Sequence, residues 1–397
     1  MFARWFTIFS VVILVASTFA GGASAQVTPP APDELPPAAE EVEPAGPPPP
    51  LTVVTPNPDY GASVFLLGNP ETTDRDLQLL KAAGMNWAKL TVPWRSIEAS
   101  CKNCIDWTDL DRVVMAATTA GVKLLVRVDH QPDWSRTLPA ENGPPDAMYD
   151  YADFVSVLAK RYAAGSLKGT IDAIQVWNEP NLSREWGGAP ISRDQAAQYM
   201  YMLKETYTLV KAEDPTKIIV SAGLSPTGTN DGTAMPDDIY LGWMYEFGLA
   251  QYADVIGVHA PGYGSAPEAE LLSDPRFTHP SFYFRRVEQL REIMTLNGDG
   301  AKPFWVLEFG WTTDQVNPQY SWYAVTPEQQ ADYIVKAYQY AATNWAPQVG
   351  PMFVWNIADP NWTPEYEQYW WSMTNPDGTT RPAYDALAAA RASGLLP

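Results

Sequence analysis

Two glutamates sit in matching surroundings and invite a chemical reading. Glu179 ends the run Ile171-Asp172-Ala173-Ile174-Gln175-Val176-Trp177-Asn178-Glu179 and is followed by Pro180. Glu308 ends Pro303-Phe304-Trp305-Val306-Leu307-Glu308 and is followed by Phe309-Gly310-Trp311. Both runs are apolar and short enough to be buried strands, and each delivers one carboxyl group at its C-terminal tip. Pro180 stops the first ladder because it has no N–H to donate. Two carboxyls on separate strand tips suit cleavage of a glycosidic bond. One protonates the leaving oxygen, and the other attacks the anomeric carbon or activates a water. Either glutamate alone would more often cap a helix or pair with a buried cation. The pair, each with aromatic neighbours, favours catalysis.

The elements that must position them repeat eight times. Apolar strand-like runs fall at 62–67, 87–92, 123–128, 171–176, 217–222, 254–258, 304–307 and 351–355. Helical patterns lie between them, at 74–83, 110–120, 149–164, 237–249, 281–296 and 383–392. Ser192-Arg193-Asp194-Gln195 and Thr326-Pro327-Glu328-Gln329 read as capping boxes that open two further long helices. Gly84, Gly121 and Gly165 follow helical runs and suit their C-terminal ends. Eight strand-then-helix units predict a closed parallel (β/α)8 barrel, the TIM fold, as one catalytic domain over 59–397. An open doubly wound sheet is the alternative, but no glycine-rich phosphate fingerprint follows the first strand.

The residues before the barrel have a different character. In 1–25, Arg4 precedes an apolar run from Ile8 to Ala20, and Ala23-Ser24-Ala25 has the form of a cleavage site. This predicts a secretory signal peptide cut before Gln26, too short for a comfortable membrane span, with a retained N-terminal tether as the other option. Residues 26–58 hold 12 prolines, five acidic residues and no Lys or Arg, which predicts an extended linker. The chain carries a formal charge of −20, and removing Arg4 and the five linker acids leaves −16 for 59–397. So acidic a surface argues against nucleic acid and anionic lipid as partners and suits a neutral one, such as carbohydrate. Cys101 and Cys104 are the two cysteines, and in an exported chain without a second pair they predict a local disulfide.

A barrel places functional residues at the C-terminal ends of its strands. Of three histidines, His130 and His259 fall there, after the third and sixth strands. Trp94, Asn178, Tyr263, Trp311 and Trp355 fall at or just past strand ends as well. Aromatic faces stack on the C–H faces of sugars and amides bond their hydroxyls, although several of 16 tryptophans must serve packing alone. Three scattered histidines offer no metal-ligand spacing, so no metal and no cofactor is expected.

Taken together, these residues resemble the clan A glycoside hydrolases, retaining barrels nearest here to families 39 and 5. The resemblance rests on Trp177-Asn178-Glu179-Pro180 on strand 4 and Leu307-Glu308-Phe309-Gly310 on strand 7. Trp94-x-x-Ile97-Glu98 with Asp106-Trp107-Thr108-x-Leu110-Asp111, and the stretch from Pro376 to Tyr384, resemble further segments of those families. It implies a retaining glycosidase in which Glu179 is the acid/base and Glu308 the nucleophile, and the leader over 1–25 implies that it is secreted. It further implies that Trp355 is a sugar platform, that Asn178 bonds the sugar 2-hydroxyl and that His259 lines the nucleophile's side. Many members carry an arginine on strand 2 that holds the nucleophile; here the aligned position is Lys89, or the role passes to Arg127. In the family 5 pattern His-x-Tyr, the tyrosine follows more closely than Tyr263 follows His259. The added β-sandwich of the family 39 xylosidases has no counterpart, so exo-xylosidase activity is not implied. A transglycosylase and a silent sugar-binding barrel share the same residues, and the two intact glutamates disfavour the second. Trp134, Trp186, Tyr263, Tyr320 and Trp322, in loops at 132–146, 182–190, 261–280 and 312–325, suggest subsites along an open groove and cutting within chains.

Overall fold

The computed structural model describes residues 46–397. Eight parallel strands run in chain order: β1 Tyr60–Ser63, β2 Trp87–Pro93, β3 Lys123–Asp129, β4 Ala173–Val176, β5 Ile218–Val220, β6 Ile256–Pro261, β7 Phe304–Gly310 and β8 Val349–Val354. Their order round the sheet is β5-β4-β3-β2-β1-β8-β7-β6. Between β5 and β6 the seam is held by two isolated bridges, Val220 to Val255 and Leu224 to Val258. The sheet is thus a nearly closed barrel, as the eightfold pattern predicts. Each strand is followed by a main helix, from Thr73–Ala82 after β1 to Pro382–Ala392 after β8.

Alternation along the strands builds two cores. Ala88, Leu90, Val92, Leu124, Val126, Val128, Ile174 and Val176 share the large cluster with the helices, so these side chains point outward. Trp87, Leu125, Ala173, Val220, Val255, Trp305, Leu307 and Phe353 form a separate cluster drawn from strands all round the sheet, which places it inside the barrel. Glycines make room for its large rings. A Cβ on Gly61 would stand 2.8 Å from the Phe353 ring, and one on Gly350 would stand 2.1 Å from Trp305 Nε1. Above this apolar plug the inward positions turn polar: Ser63, Lys89, Arg127 and Gln175.

Several sequence-derived boundaries shift for local reasons. The helix expected over 281–296 is two pieces, a turn Pro280–Phe282 and a helix Arg286–Leu296. Tyr283 between them is extended, and its buried hydroxyl donates to Asp274 O at 3.2 Å, which the helical path would not allow. The helix over 237–249 breaks at Gly248, φ 93°. Thr326 forms the full capping box, whereas Gln195 takes the Ser192 cap on its backbone but sends its side chain to Pro180 O at 3.2 Å. Cys101 and Cys104 are disulfide-bonded, with Cα atoms 5.2 Å apart.

The described part of the proline-rich segment, 46–58, has no regular secondary structure but lies on the base of the barrel. Tyr207 donates its hydroxyl to Pro48 O at 3.1 Å, Leu51 N–H donates to Asp254 Oδ1 at 2.7 Å, and Val53 packs on the interior cluster. Residues 26–45 and the leader over 1–25 lie outside the described residues. Among the described residues no helix is long and apolar enough to cross a membrane.

Candidate active site

Strict alternation on β7 would send Glu308 the wrong way. Trp305 and Leu307 already point into the barrel, so the next residue should face the helices. A register shift corrects this: Val258 pairs with Val306, but His259 pairs with Glu308. The one extra residue turns Glu308 inward at the mouth, the re-aiming that a bulge performs. There Lys89 Nζ donates to Glu308 Oε1 at 2.6 Å, and Arg127 Nη1 donates to the same oxygen at 3.3 Å. Both lysine and arginine therefore hold the carboxylate. Burial opposes the charge on Glu308, but His259, Lys89 and Arg127 together outweigh it and hold the carboxyl at about 2. Lys89 is buried, and that burial lowers its ammonium to about 8 against the pull of Glu308. Arg127 is itself braced, with Nε 2.9 Å from Asp129 Oδ2.

Glu179 is aimed by backbone conformation. Trp177 and Glu179 both adopt positive φ, 67° and 42°. Each such residue costs on the order of 1–2 kcal/mol and persists where surrounding contacts dictate it. Here they do. Trp177 N–H donates to Val128 O at 3.2 Å, Glu179 N–H to Gly223 O at 3.0 Å, and the buried Trp177 indole to Glu185 O at 2.9 Å. The tryptophan is turned out of the barrel and Glu179 into it. His259 Nδ1 lies 2.9 Å from Glu179 Oε1 and 3.8 Å from Glu308 Oε2. The imidazole lies against Gly223, where a Cβ would come within 2.2 Å of its Cδ2.

One oxygen of Glu179, a nitrogen of His259 and one oxygen of Glu308 all lie within 4.8 Å of one another. These are the described residues that come nearest to a metal-ligand set. Ligands of a tetrahedral ion at ~2.1 Å stand about 3.4 Å apart, and Glu308 already carries two cations, so the set suits proton and nucleophile chemistry better than a metal. The cavity around it has a volume of about 360 Å³.

The structure sorts the sequence-derived candidates. Asn178, His259, Tyr263 and Trp355 line the cavity with the two glutamates, and Lys89 lies buried behind Glu308 and bonds it. Asn178 Oδ1 accepts from Gln175 Nε2 at 3.3 Å, and its NH2 has no acceptor among the described residues. Three candidates are structural instead. Trp94 is fully buried, donates to Glu98 Oε2 at 2.7 Å and stacks on Phe154. Trp311 is fully buried, donates to Ser265 O at 2.7 Å and fills the space above Gly262. His130, at φ 55°, lies outside the cavity wall and pairs with Asp129 Oδ1 at 2.6 Å. His259, expected on the nucleophile's side, makes its hydrogen bond to Glu179 instead. Sequence reasoning missed Arg184, Glu185, Glu367, Gln368 and Trp371 in the cavity wall. Arg184 and Glu185 stand five and six residues past Glu179, in a loop already marked as rim; no pattern marks the others.

Comparison with known proteins bears on the fold and the family. Residues 55–349 match the family model Cellulase (glycosyl hydrolase family 5). No curated protein sequence matches the chain. Among solved structures, a family 39 glycoside hydrolase from Bacteroides cellulosilyticus superimposes with TM-score 0.63 and 18% identity, over 84% of this chain and 63% of that one. The chain thus spans less than two thirds of that enzyme. A monomeric β-xylosidase from Caulobacter crescentus gives TM-score 0.59 and 15% identity, over 87% and 70%. The GH5_18 enzyme from Streptomyces cattleya, solved with GlcNAc, gives 0.58 and 16%, over 85% and 80%.

The clamp on Glu308 makes stability depend on pH. Its carboxyl is held at about 2, below its ordinary value of 4.5. A depressed folded-state pKa contributes stability that is fully present above the unfolded value and is lost as pH falls through the folded one. Urea unfolding between pH 5 and 2 should therefore show a steeper loss in the unsubstituted protein than in Glu308→Gln. Equal slopes would contradict the clamp.

Proposed function

We propose that this chain, a glycosidase that belongs to glycosyl hydrolase family 5, cleaves O-glycosidic bonds of a saccharide in two displacements with retention of anomeric configuration. The observation that carries this reading is the approach of Glu179 and Glu308, whose nearest oxygens lie within 4.8 Å. Retaining enzymes keep their carboxyls about 5–5.5 Å apart, whereas inverting ones leave roughly 6.5–9.5 Å for a water.

Roles follow from the partners. Oε1 of Glu308 is occupied by Lys89 and Arg127, so Oε2 is the attacking oxygen. Glu179 gives its proton to the glycosidic oxygen as the bond to the anomeric carbon breaks and the bond to Glu308 forms. A water then gives its proton to Glu179 and attacks the same carbon, releasing Glu308 as carboxylate. Lys89 and Arg127 support that departure, because they stabilise the charge that returns to Oε1. His259 fixes the Glu179 carboxyl through Oε1, while Oε2 has only the long contact of 3.5 Å from Arg184 Nη2 and is the oxygen we assign to proton transfer. The NH2 of Asn178 suits a sugar hydroxyl, and Trp355 supplies an aromatic face beside Glu308.

Two finer points belong to the same proposal. Secretion is supported by Arg4, the apolar run and Ala23-Ser24-Ala25; Gln26 as the first residue of exported protein checks it, and a retained Met1 would contradict it. Cutting within chains has narrower support than the rim aromatics suggest. Trp186 is buried, Trp134 donates to Glu98 O, and Tyr263 donates to Pro226 O, so all three are engaged in packing. Trp322 and Tyr366, each about half exposed on the loops after β7 and β8, offer aromatic surface to an extended chain. On carboxymethylcellulose, xylan or glucomannan, viscosity should fall well ahead of reducing-end release; monosaccharide as first and only product would overturn internal cutting.

Glu308→Gln should lower kcat by roughly 10⁴–10⁶-fold with binding retained, as expected of a residue that acts with its partners as a unit. Glu179→Ala should lose on the order of 10²–10⁴-fold on poor leaving groups and regain turnover with azide. Proton NMR of the first product should show the substrate's anomeric configuration. An inverted product would overturn the mechanism.

A further inference from the structure

The cavity wall holds four glutamates, and three of them are paired. Glu179 meets His259 and Arg184, Glu185 meets Arg184 and Asn142, and Glu308 meets Lys89 and Arg127. The fourth, Glu367, opens the short helix Glu367–Trp371 beyond β8. Its Oε2 accepts from Trp371 Nε1 at 2.8 Å. Among the described residues Oε1 has no donor and the carboxylate has no ion-pair partner. The side-chain amide of Gln368 beside it also makes no hydrogen bond among the described residues. Both line the cavity together with Trp355, Trp371 and Glu308. Burial raises the Glu367 carboxyl above its ordinary value, and the nearby charges of Asp314 and Glu308 act in the same direction, against the Trp371 hydrogen bond and Arg184.

Glu367 Oε1 is therefore an acceptor on the cavity wall that is left for a donor, and the hydroxyls of a bound sugar supply one. We propose that Glu367, assisted by Gln368, is a specificity-determining residue that accepts hydrogen bonds from ring hydroxyls of the sugar that becomes bonded to Glu308. This rests on the reading of Glu308 as nucleophile. The subsite selects a neutral sugar whose hydroxyls on that face are free. A uronic acid would set a second carboxylate against Glu367, and an acylated hydroxyl would have no proton to donate.

The test uses 4-nitrophenyl β-D-glucoside, β-D-mannoside and β-D-xyloside, and the monodeoxy analogues of whichever reacts fastest. Glu367→Ala should lower kcat/KM by about 30-fold and Glu367→Gln, which keeps one acceptor for Trp371, by about tenfold. In the unsubstituted protein one deoxy analogue should lose a comparable factor, whereas in Glu367→Ala that analogue should react as fast as its parent. A merely structural role would lower every analogue alike. The proposal is overturned if Glu367→Ala stays within about threefold of the unsubstituted protein, or if the deoxy series loses equally in both. Glu308→Gln, assayed in parallel, separates the two readings: its full activity would strike the proposed catalysis, whereas a silent Glu308→Gln beside an unimpaired Glu367→Ala strikes only the subsite.

Discussion

A carboxylate turned into the mouth of a barrel cannot stay charged unless cations stand beside it, and this site is arranged round that constraint. Glu308 is enclosed, yet Lys89 and Arg127 both reach its Oε1. An isolated buried carboxylate would take up a proton and lose its nucleophilicity. The clamp does more than preserve charge. It occupies one oxygen and leaves the other toward Glu179 and His259, so it sets the direction from which the anomeric carbon is approached. Two cations also exceed one carboxylate, and Arg127 shares its excess with Asp129, which in turn holds His130. The polar layer above the interior aromatic plug is therefore a continuous charged network set on a dry base.

That network requires side chains to depart from regular strand geometry at two places. On β7 the slip at Leu307 turns Glu308 inward. After β4 the left-handed residues Trp177 and Glu179 turn the Trp177 side chain out of the barrel and keep Glu179 inside it. In both cases the hydrogen bonds of neighbouring strands, from His259 on one side and to Gly223 on the other, fix the irregularity. Gly223 serves twice, since its carbonyl holds the Glu179 backbone and its missing side chain admits the His259 ring. Strain is thus placed where the carboxyls must converge, and regular strands carry the cost.

The barrel was legible in the sequence because eight apolar runs alternate with helical patterns, several of them bounded by a local signal such as Gly121 at a helix end or the Thr326 box at a helix start. The two glutamates were legible because they end such runs. What lay beyond reach has physical causes. Trp94 and Trp311 stand at strand ends like Trp355, but their indoles point back into loops that need a buried donor, and sequence position does not report side-chain direction. Trp134 and Trp186 mislead in the same way, whereas Tyr263 reaches the cavity wall. Glu367 and Gln368 lie a dozen or so residues past Trp355 in a segment with no periodic pattern. They enter the wall through a tertiary fold-back of the loop after β8. The choice between Lys89 and Arg127 was posed as an alternative in the sequence, and the structure brings both to one oxygen.

The central claim is that Glu308 Oε2 bonds to the anomeric carbon. It is tested most directly by trapping that bond with a 2,4-dinitrophenyl 2-deoxy-2-fluoro-β-glycoside, whose fluorine slows the second displacement, followed by peptide mass mapping. The account predicts one fluoroglycosyl group per chain, on the peptide that contains Glu308, with dinitrophenolate released in equal amount. A label on Glu179 or Glu367, or steady turnover of the fluoroglycoside by the Glu308→Gln variant, would contradict it.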